Sequence, residues 1–298
     1  MEGLYHIKHP GVFFRFELVY WADILHPQPQ DVNEKDPKNP QYIEFPYVPA
    51  TSFSGKPPGV LRRKILDFLE KQMDKIFIKK DMRASFESVT NLIIRHYFTD
   101  LNLYYASYIK NKNDEEVPAR ELIRKRLIDI LKKHRKKDVL LIAHSMGSII
   151  AFEVLELLKN ELDIDTLVTV GSPLGQPVII SKIRTELQRT DDEKIKPRTP
   201  ENIRNKWFNL SDLEDNIAMN YNIADDYDKN SKGIQPEDME VYNNYTFEQK
   251  RNPHKSYGYL RTPEMSEIIY QFLSRDRSKF RFWLSNRYIE FSQRFFEK

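Results

Sequence analysis

The chain of 298 residues has no cysteine and only nine glycines. Without cysteine the protein cannot form a disulfide, a thiolate metal site or an iron–sulfur cluster, and it cannot use a cysteine nucleophile. This absence fits a reducing compartment, and we expect a cytoplasmic location. The nine scattered glycines form neither a G-x-G-x-x-G nor a Walker A pattern, which excludes the common glycine-rich nucleotide loops.

Three further features are absent from the sequence: a transmembrane helix, a signal peptide and a strong net charge. No stretch approaches 18 uninterrupted apolar residues, so the sequence predicts no transmembrane helix. Residues 1–6 lack the basic-then-apolar order of a signal peptide. The 47 Lys and Arg residues against 44 Asp and Glu residues give a formal net charge of +3, too small to indicate a nucleic acid as partner. The oligomeric state stays open.

In the second half of the chain, short apolar segments alternate with helical patterns. Segments 138–143, 166–171 and 206–210 predict strands, and 148–159 predicts a helix between the first two. Strands that are apolar along their length are typical of a parallel sheet covered by helices on both faces. We therefore predict one α/β domain, with a mostly parallel sheet in a core of residues 138–260.

The first half of the chain has a different pattern. Phe13 to Trp21 is rich in aromatic and β-branched residues and predicts a buried strand. Pro27 to Pro58 contains eight prolines and no periodicity, and predicts a loop. We expect residues 27–137 to form this loop and a helical insertion, and residues 261–298 to form C-terminal helices. Helical spacing of apolar residues predicts helices near residues 61–73, 89–98 and 115–137.

Three other segments favour plain structural explanations. The basic run from Arg120 to Lys137 is expected to be the solvated face of a helix, because apolar residues recur on its other face. The acidic, aperiodic segment from Asp225 to Asp238 predicts a mobile loop. Aromatic residues at helical spacing from Phe280 to Phe296 predict a helix packed on the core, with a membrane-surface or dimer contact as the alternative.

A candidate nucleophile lies between the first predicted strand and its helix. Residues 143–147 read Ala-His-Ser-Met-Gly, and a sharp strand-to-helix turn would lift the Ser145 hydroxyl above the sheet. Such a turn requires small residues two before and two after the serine, and Ala143 and Gly147 meet this requirement. The Met146 amide would face the oxygen of an attacked carbonyl at the positive end of the helix. The alternative is that Ser145 only caps the helix.

A serine nucleophile needs a histidine base that is oriented by a carboxylate. Of the seven histidines only His254 follows Ser145, and it sits in a polar segment before the C-terminal helices. We therefore expect His254 to be the base. Three carboxylates in the loop after the strand at 206–210 compete for the role of the acid. We favour Asp215, because an apolar pair after it would hold the loop still. Asp212 is the alternative acid, which could equally cap the next turn.

The turn at Ser145, followed by Thr169 to Gly175 at the next strand end, resembles the α/β-hydrolase superfamily. More narrowly, the chain is similar to a bacterial lipase/esterase-like branch that is related in pattern to deacylases that remodel lipid anchors. The resemblance covers the predicted strand near residue 13, with its end at Tyr20-Trp21-Ala22-Asp23, and then roughly residues 138–260.

This resemblance implies site residues as well as a fold. In that branch the acid lies in an Asn-Leu-x-Asp-x-x-Asp-x-Ile loop, which Asn209 to Ile217 match, and the histidine precedes a Ser-Tyr pair, which Ser256-Tyr257 match. It thus implies a triad of Ser145, Asp215 and His254 that hydrolyses a carboxylic ester through an acyl-enzyme. Such chemistry needs neither a metal nor an organic cofactor.

The sequence departs from the superfamily near its N terminus. An apolar strand ending in His-Gly usually supplies the second oxyanion donor, whereas His9-Pro10-Gly11 follows no apolar strand. In the superfamily's sheet order the missing strand would lie between the strand near residue 13 and the strand at Val139. Its loss would therefore leave the facing edges of both strands unpaired. Three explanations stay open: a start codon upstream of Met1, a different filling of the gap, or a degraded homologue.

The expected function is therefore a serine hydrolase that acts on a small-molecule or lipid ester. One alternative is a catalytically silent interaction protein with a hydrolase fold, motivated by the missing oxyanion strand. The other is a peripheral protein that makes weak contacts with a membrane surface.

Overall fold

The computed structural model describes residues 15–26, 28–36, 39, 41–50, 92–110, 113–187, 195–218 and 220–275. These residues fall into two units: Val19–Tyr259, and a smaller unit formed by residues 15–18 and 260–275. The helices predicted near residues 61–73 and 280–296 lie outside the described residues.

Seven α-helices, a π-helical turn at Ile183–Leu187, a 3-10 turn at Ile223–Asp225 and eight strands make up the described part of the chain. The helices are α1 (Ala22–Leu25), α2 (Leu92–Ala106), α3 (Ala119–Lys133), α4 (Met146–Leu157), α5 (Pro177–Lys182), α6 (Ser256–Leu260) and α7 (Pro263–Ser274). The strands are β1 (Tyr108–Lys110), β2 (Glu116–Pro118), β3 (Leu140–His144), β4 (Ile164–Val170), β5 (Ile203–Ser211), β6 (Pro236–Glu240), β7 (Thr246–Phe247) and β8 (Lys250–Arg251).

Four parallel strands in the order β3-β4-β5-β6 form the central sheet of the larger unit. All seven residues of β4 are buried, as expected of a parallel strand that is covered on both faces. The predicted α/β class, with a parallel sheet flanked by helices, is therefore confirmed. The three predicted strands correspond to β3, β4 and β5, and the predicted helix between the first two corresponds to α4.

A row of polar side chains fixes the register of three of these strands. Thr169 of β4 is aligned with Asn209 of β5, which is aligned with Asp238 of β6. The Thr169 hydroxyl donates to Asn209 Oδ1 at 2.9 Å, and Asn209 Nδ2 donates to Asp238 Oδ1 at 2.8 Å. A slip of one residue would turn these groups to the opposite face of the sheet and leave them unpaired, so the row selects a single register.

Helices α3 and α4 pack on each other and enclose a carboxylate. Glu153 of α4 is only 2% exposed. Arg124 Nε donates to it at 2.7 Å, and the Tyr105 hydroxyl donates at 2.9 Å. The Tyr104 hydroxyl and the Arg120 guanidinium complete its contacts. The prediction of a solvated basic face on α3 is wrong for Arg120 and Arg124, because both neutralise this buried anion.

The strand predicted from Phe13 to Trp21 is not formed by its described residues. Residues 15–20 have no regular structure, and the side chains of Phe16 and Leu18 are 73% and 70% exposed. A strand needs a neighbour for its backbone hydrogen bonds. Within the described ranges no strand pairs with the outer edge of β3, where the expected sheet would continue toward this segment.

The Tyr20-Trp21-Ala22-Asp23 segment, expected at a strand end, leads into the short helix α1 instead. Arg126 of α3 holds this segment, because its guanidinium donates to the Tyr20 carbonyl at 2.7 Å and to Asp23 Oδ1 at 2.5 Å. The ion pair lowers the pKa of Asp23 below its ordinary value. Contacts with Arg126 of α3, which is distant in sequence, therefore hold residues 20–23 in a structure that the aromatic pattern did not predict.

The segment from Asp225 to Asp238 is also corrected, because it ends in a strand rather than continuing as a loop. β6 begins at Pro236, a position where the missing N–H of proline is tolerated in a strand. The Asp238 carboxylate accepts backbone N–H groups from Ile223 at 3.1 Å and Ala224 at 2.8 Å. Because β6 pairs with β5 and is partly exposed, it shows no apolar run in the sequence.

The smaller unit contains the helix α7, as predicted after Pro263. Thr262 caps its N terminus by accepting the Met265 N–H at 3.3 Å, and Pro263 occupies the first turn, where it has no bond to lose. In neither unit do the described residues include a helix long and apolar enough to cross a membrane.

Replacement of Glu153 by Gln should destabilise the fold strongly. Glu153→Gln leaves two partly buried guanidinium groups without their counter-charge, and we expect a loss of about 3–5 kcal/mol in unfolding free energy. Urea unfolding measures this loss. The control is Asp129→Asn, which breaks the exposed Lys125–Asp129 pair and should cost less than about 1 kcal/mol. Equal losses in the two variants would show that the Glu153 cluster has no special role.

Candidate functional site

The carboxyl ends of β3, β4 and β5 bring three loops to one edge of the sheet. His144, Val170 and Leu210 lie in one row across these strands. Two backbone hydrogen bonds continue the pairing past this row, from Ser145 N to the Val170 carbonyl and from Gly171 N to the Leu210 carbonyl, both at 3.1 Å. The loops after β3, β4 and β5 therefore begin side by side, with the loop after β4 in the middle.

Ser145 occupies the turn between β3 and α4 in a strained backbone conformation. Its φ of 53° and ψ of −129° form a combination that residues other than glycine rarely adopt and that tends to occur at functional sites. Its side chain makes no capping hydrogen bond to the helix, in contrast to the alternative considered from the sequence. The next residue, Met146, begins α4, and the first N–H groups of a helix have no partner within it.

His254 lies in the loop between β8 and α6 and contacts both Ser145 and Asp215. Its Nε2 is 2.9 Å from Ser145 Oγ, and its Nδ1 is 2.8 and 2.9 Å from the two Asp215 oxygens. Because an ionised carboxylate only accepts, Nδ1 carries the proton and Nε2 accepts from the serine hydroxyl. The structure thus brings the three predicted residues into one hydrogen-bonded chain.

The Asp215 carboxylate is buried and fully hydrogen-bonded. The Tyr259 hydroxyl donates to Oδ2 at 2.7 Å, and the Ile217 and Ala218 N–H groups donate to Oδ1 at 2.9 and 3.4 Å. Burial alone would raise the pKa of Asp215, but the neighbouring His254 and these donors lower it below its ordinary value. Asp215 is therefore ionised at neutral pH, as a group that orients a histidine must be.

Asp212, the alternative acid, has a different set of partners. Its oxygens accept the Asn243 N–H at 2.6 Å and the Glu214 N–H at 2.9 Å, and the Arg251 guanidinium donates to it. Burial raises the pKa of Asp212 to about 6, although Arg251 opposes this shift. The structure therefore places Asp215 against His254, and Asp212 in an ion pair with Arg251.

Glycine is required at Gly171 rather than at Gly147. Gly171 has a φ of +53°, and a Cβ on it would lie 2.8 Å from Asp215 Oδ2 and 3.2 Å from His254 Nδ1. At Gly147, by contrast, an added Cβ would have no described neighbour within 4 Å outside its own helix and adjacent residues. Crowding therefore does not explain Gly147, whereas Gly171 leaves the space in which His254 and Asp215 meet.

Three residues of this region were missed in the sequence. The Tyr259 hydroxyl bridges the two acids of the loop, because it donates to Asp215 and accepts the Asp212 N–H at 3.0 Å. His144 and Asn243 contact the backbone around His254. A residue type alone carries no signal for such contacts, which join segments far apart in the chain. Within the described ranges no three His, Asp or Glu side chains cluster as a metal site would require.

Substitution of Gly171 by Ala should disable the Ser145–His254–Asp215 chain without unfolding the protein. Gly171→Ala adds left-handed strain of about 1–2 kcal/mol and pushes on Asp215 and His254, so we expect fluorophosphonate labelling of Ser145 to slow at least about 100-fold. Gly233→Ala is the matched control, because Gly233 has a φ of +79° and a described environment that leaves an added Cβ without a contact within 4 Å. Similar slowing in both variants would refute a specific effect at Gly171.

Comparison with known proteins agrees with this architecture. A family model described as a PGAP1-like alpha/beta domain matches residues 91–256, more than half of the chain. The matched range contains Ser145, Asp215 and His254 together with the four-stranded sheet. No curated protein and no solved structure gave a match. The chain therefore belongs to the PGAP1-like α/β domain family, with the α/β-hydrolase-like fold of a lipase/esterase-like hydrolase.

Proposed function

We propose that the protein is a serine hydrolase that cleaves a carboxylic ester through Ser145, His254 and Asp215. The single observation that carries the proposal is the continuous chain of hydrogen bonds from Ser145 Oγ through His254 to Asp215. A serine hydroxyl becomes an effective nucleophile only when a base accepts its proton as it attacks. His254 is placed to be that base, with Nε2 facing the Ser145 hydroxyl, and the Asp215 carboxylate holds its Nδ1–H.

The first half of the proposed reaction forms the acyl-enzyme. Ser145 Oγ attacks the ester carbonyl carbon while His254 Nε2 takes the hydroxyl proton, and the imidazolium that forms is stabilised by the ionised Asp215. The Met146 N–H at the positive end of α4 donates to the oxyanion. When the tetrahedral intermediate collapses, the C–O bond to the alcohol breaks and His254 returns the proton to the leaving oxygen.

The second half of the reaction repeats these steps with water. His254 removes a proton from the water, whose oxygen attacks the acyl carbon, and the Ser145 oxygen leaves as the hydroxyl. The products are a carboxylic acid and an alcohol, and Ser145 is regenerated. No step calls for a metal or an organic cofactor, because His254 carries out the proton transfers of both halves and the Met146 N–H donates to the oxyanion.

The proposed substrate class is a small-molecule or lipid ester, in a cytoplasmic setting. Support for an ester comes from the PGAP1-like family match. It also comes from the resemblance of the loops around Ser145, Asp215 and His254 to those of a lipase/esterase-like branch that is related in pattern to lipid-anchor deacylases.

Labelling by a fluorophosphonate probe tests the proposed nucleophile. Wild-type protein should become covalently modified at Ser145, because attack on phosphorus uses the same hydroxyl and the same base as attack on an ester. Intact mass and peptide mapping measure the modification. Ser145→Ala should show none, whereas Ser148→Ala, a change in the first turn of α4, should still be labelled. Absence of labelling in wild type would support a catalytically silent interaction protein instead.

Exchange of the two acids for amides tests the assignment of Asp215. We expect Asp215→Asn to lower kcat for an ester substrate on the order of 10³–10⁴-fold, because the amide favours the wrong His254 tautomer. Asp212→Asn should change kcat by less than about tenfold and mainly lower stability, because Asp212 pairs with Arg251. Steady-state kinetics and urea unfolding measure the two effects. The opposite ranking in kcat would reject Asp215 as the acid.

A further inference from the structure

Three consecutive backbone carbonyls around His254 are each held by a side chain. Asn243 Nδ2 donates to the Pro253 carbonyl at 2.7 Å and to the Lys255 carbonyl at 2.8 Å. His144 Nε2 donates to the carbonyl of His254 itself at 2.7 Å. In addition, the His254 N–H donates to Asn252 Oδ1 at 3.0 Å. The backbone that carries the proposed base is therefore fixed on both sides.

His144 connects this backbone directly to the proposed nucleophile, because it is the residue before Ser145. A carbonyl oxygen can only accept, so His144 Nε2 carries the proton of a neutral imidazole. Desolvation of the ring and the neighbouring His254 lower the pKa of His144 to about 3. The ring therefore stays neutral across the physiological range, and its donor bond to His254 persists.

Asn243 is completely buried and is itself positioned from several directions. Its Oδ1 accepts the Tyr245 N–H at 3.1 Å, and its own N–H donates to Asp212 at 2.6 Å. A Cβ on Gly258 would lie only 1.5 Å from Asn243 Oδ1. The first turn of α6 thus leaves room for this side chain, which indicates that the position of Asn243 is closely defined.

We propose that Asn243 and His144 are positioning residues that hold His254 in line between Ser145 and Asp215, a role that rests on the proposed function. Neither side chain touches the ester. Asn243 fixes the loop on both sides of the base, and His144 sets the distance from the loop to the turn that carries Ser145. Proton transfer is sensitive to displacements of about 1 Å. Loosening this backbone should therefore lower the rate of the chemical step and leave substrate affinity largely unchanged.

Asn230 offers a matched control for Asn243. Its Nδ2 also donates to two backbone carbonyls, those of Pro200 and Ile203, both at 3.1 Å. Asn230 is buried as well, at 5% exposure, but it lies outside the site. We expect Asn243→Ala and Asn230→Ala to lower the thermal midpoint by similar amounts. Only Asn243→Ala should slow fluorophosphonate labelling and lower kcat about 100-fold, with KM within about threefold. Equal kinetic effects in the two variants would overturn the proposal for Asn243.

The donor at position 144 is tested by two substitutions of different chemistry. His144→Gln can place an amide N–H near the His254 carbonyl, whereas His144→Phe keeps the ring and removes the donor. We expect the Gln variant to retain labelling within about tenfold of wild type and the Phe variant to lose about 100-fold. The same labelling rate in both variants would overturn the role of His144.

An activity-independent measurement separates this inference from the proposed function. The low-field proton NMR signal of the His254 Nδ1–H, assigned by its loss in His254→Gln, reports the order of the His254–Asp215 bond. We expect the signal to be sharp in wild type and Asn230→Ala, and broadened or lost in Asn243→Ala and His144→Phe. If wild type does not react with the probe, the proposed function fails. A signal unchanged in Asn243→Ala and His144→Phe would overturn the positioning roles, whatever the activity.

Discussion

The burial of one carboxylate governs the organisation of this site. An ionised carboxylate away from water is costly unless its oxygens are hydrogen-bonded, and Asp215 meets this requirement with donors from three separate places. His254 comes from the loop after β8, Tyr259 from α6, and two backbone N–H groups from the acid's own loop. The hydrogen bonds to Asp215 therefore connect the loop after β5 to the last segment of the larger unit.

The two acids of the loop after β5, Asp212 and Asp215, have different hydrogen-bond partners. Asp212 lies within reach of Arg251 and of backbone N–H groups, which makes it part of the framework. Asp215, three residues later, faces the imidazole. The Tyr259 hydroxyl accepts the Asp212 N–H and donates to Asp215. The Asp212–Arg251 pair and the Ser145–His254–Asp215 chain are therefore both linked to this hydroxyl. Preorganisation of this kind is what allows a weak nucleophile such as a serine to react.

The sequence predicts the parts of this fold whose information is local. Apolar runs predicted β3, β4 and β5. The need of a serine nucleophile for a base and an acid, together with the family resemblance, favoured Ser145, Asp215 and His254. The failures share a physical cause. Phe16 and Leu18 look like strand residues, but pairing with a neighbour decides whether a strand forms. β6 has no apolar pattern, because polar contacts with β5 and the 3-10 turn hold it in the sheet. Arg120 and Arg124 were predicted to be solvated, because their partner Glu153 is distant in sequence.

The hydrogen bonds of the Ser145–His254–Asp215 chain span 109 and 39 residues of sequence. Closing such long loops is slow and is rewarded only after the strands between them have paired. The Ser145–His254–Asp215 chain is therefore complete only when β3, β4, β5 and the segment after β8 have all docked. Until then the Ser145 hydroxyl has neither the His254 imidazole nor, beyond it, the Asp215 carboxylate in place. Under the proposed function, reaction at Ser145 would therefore report the completed fold.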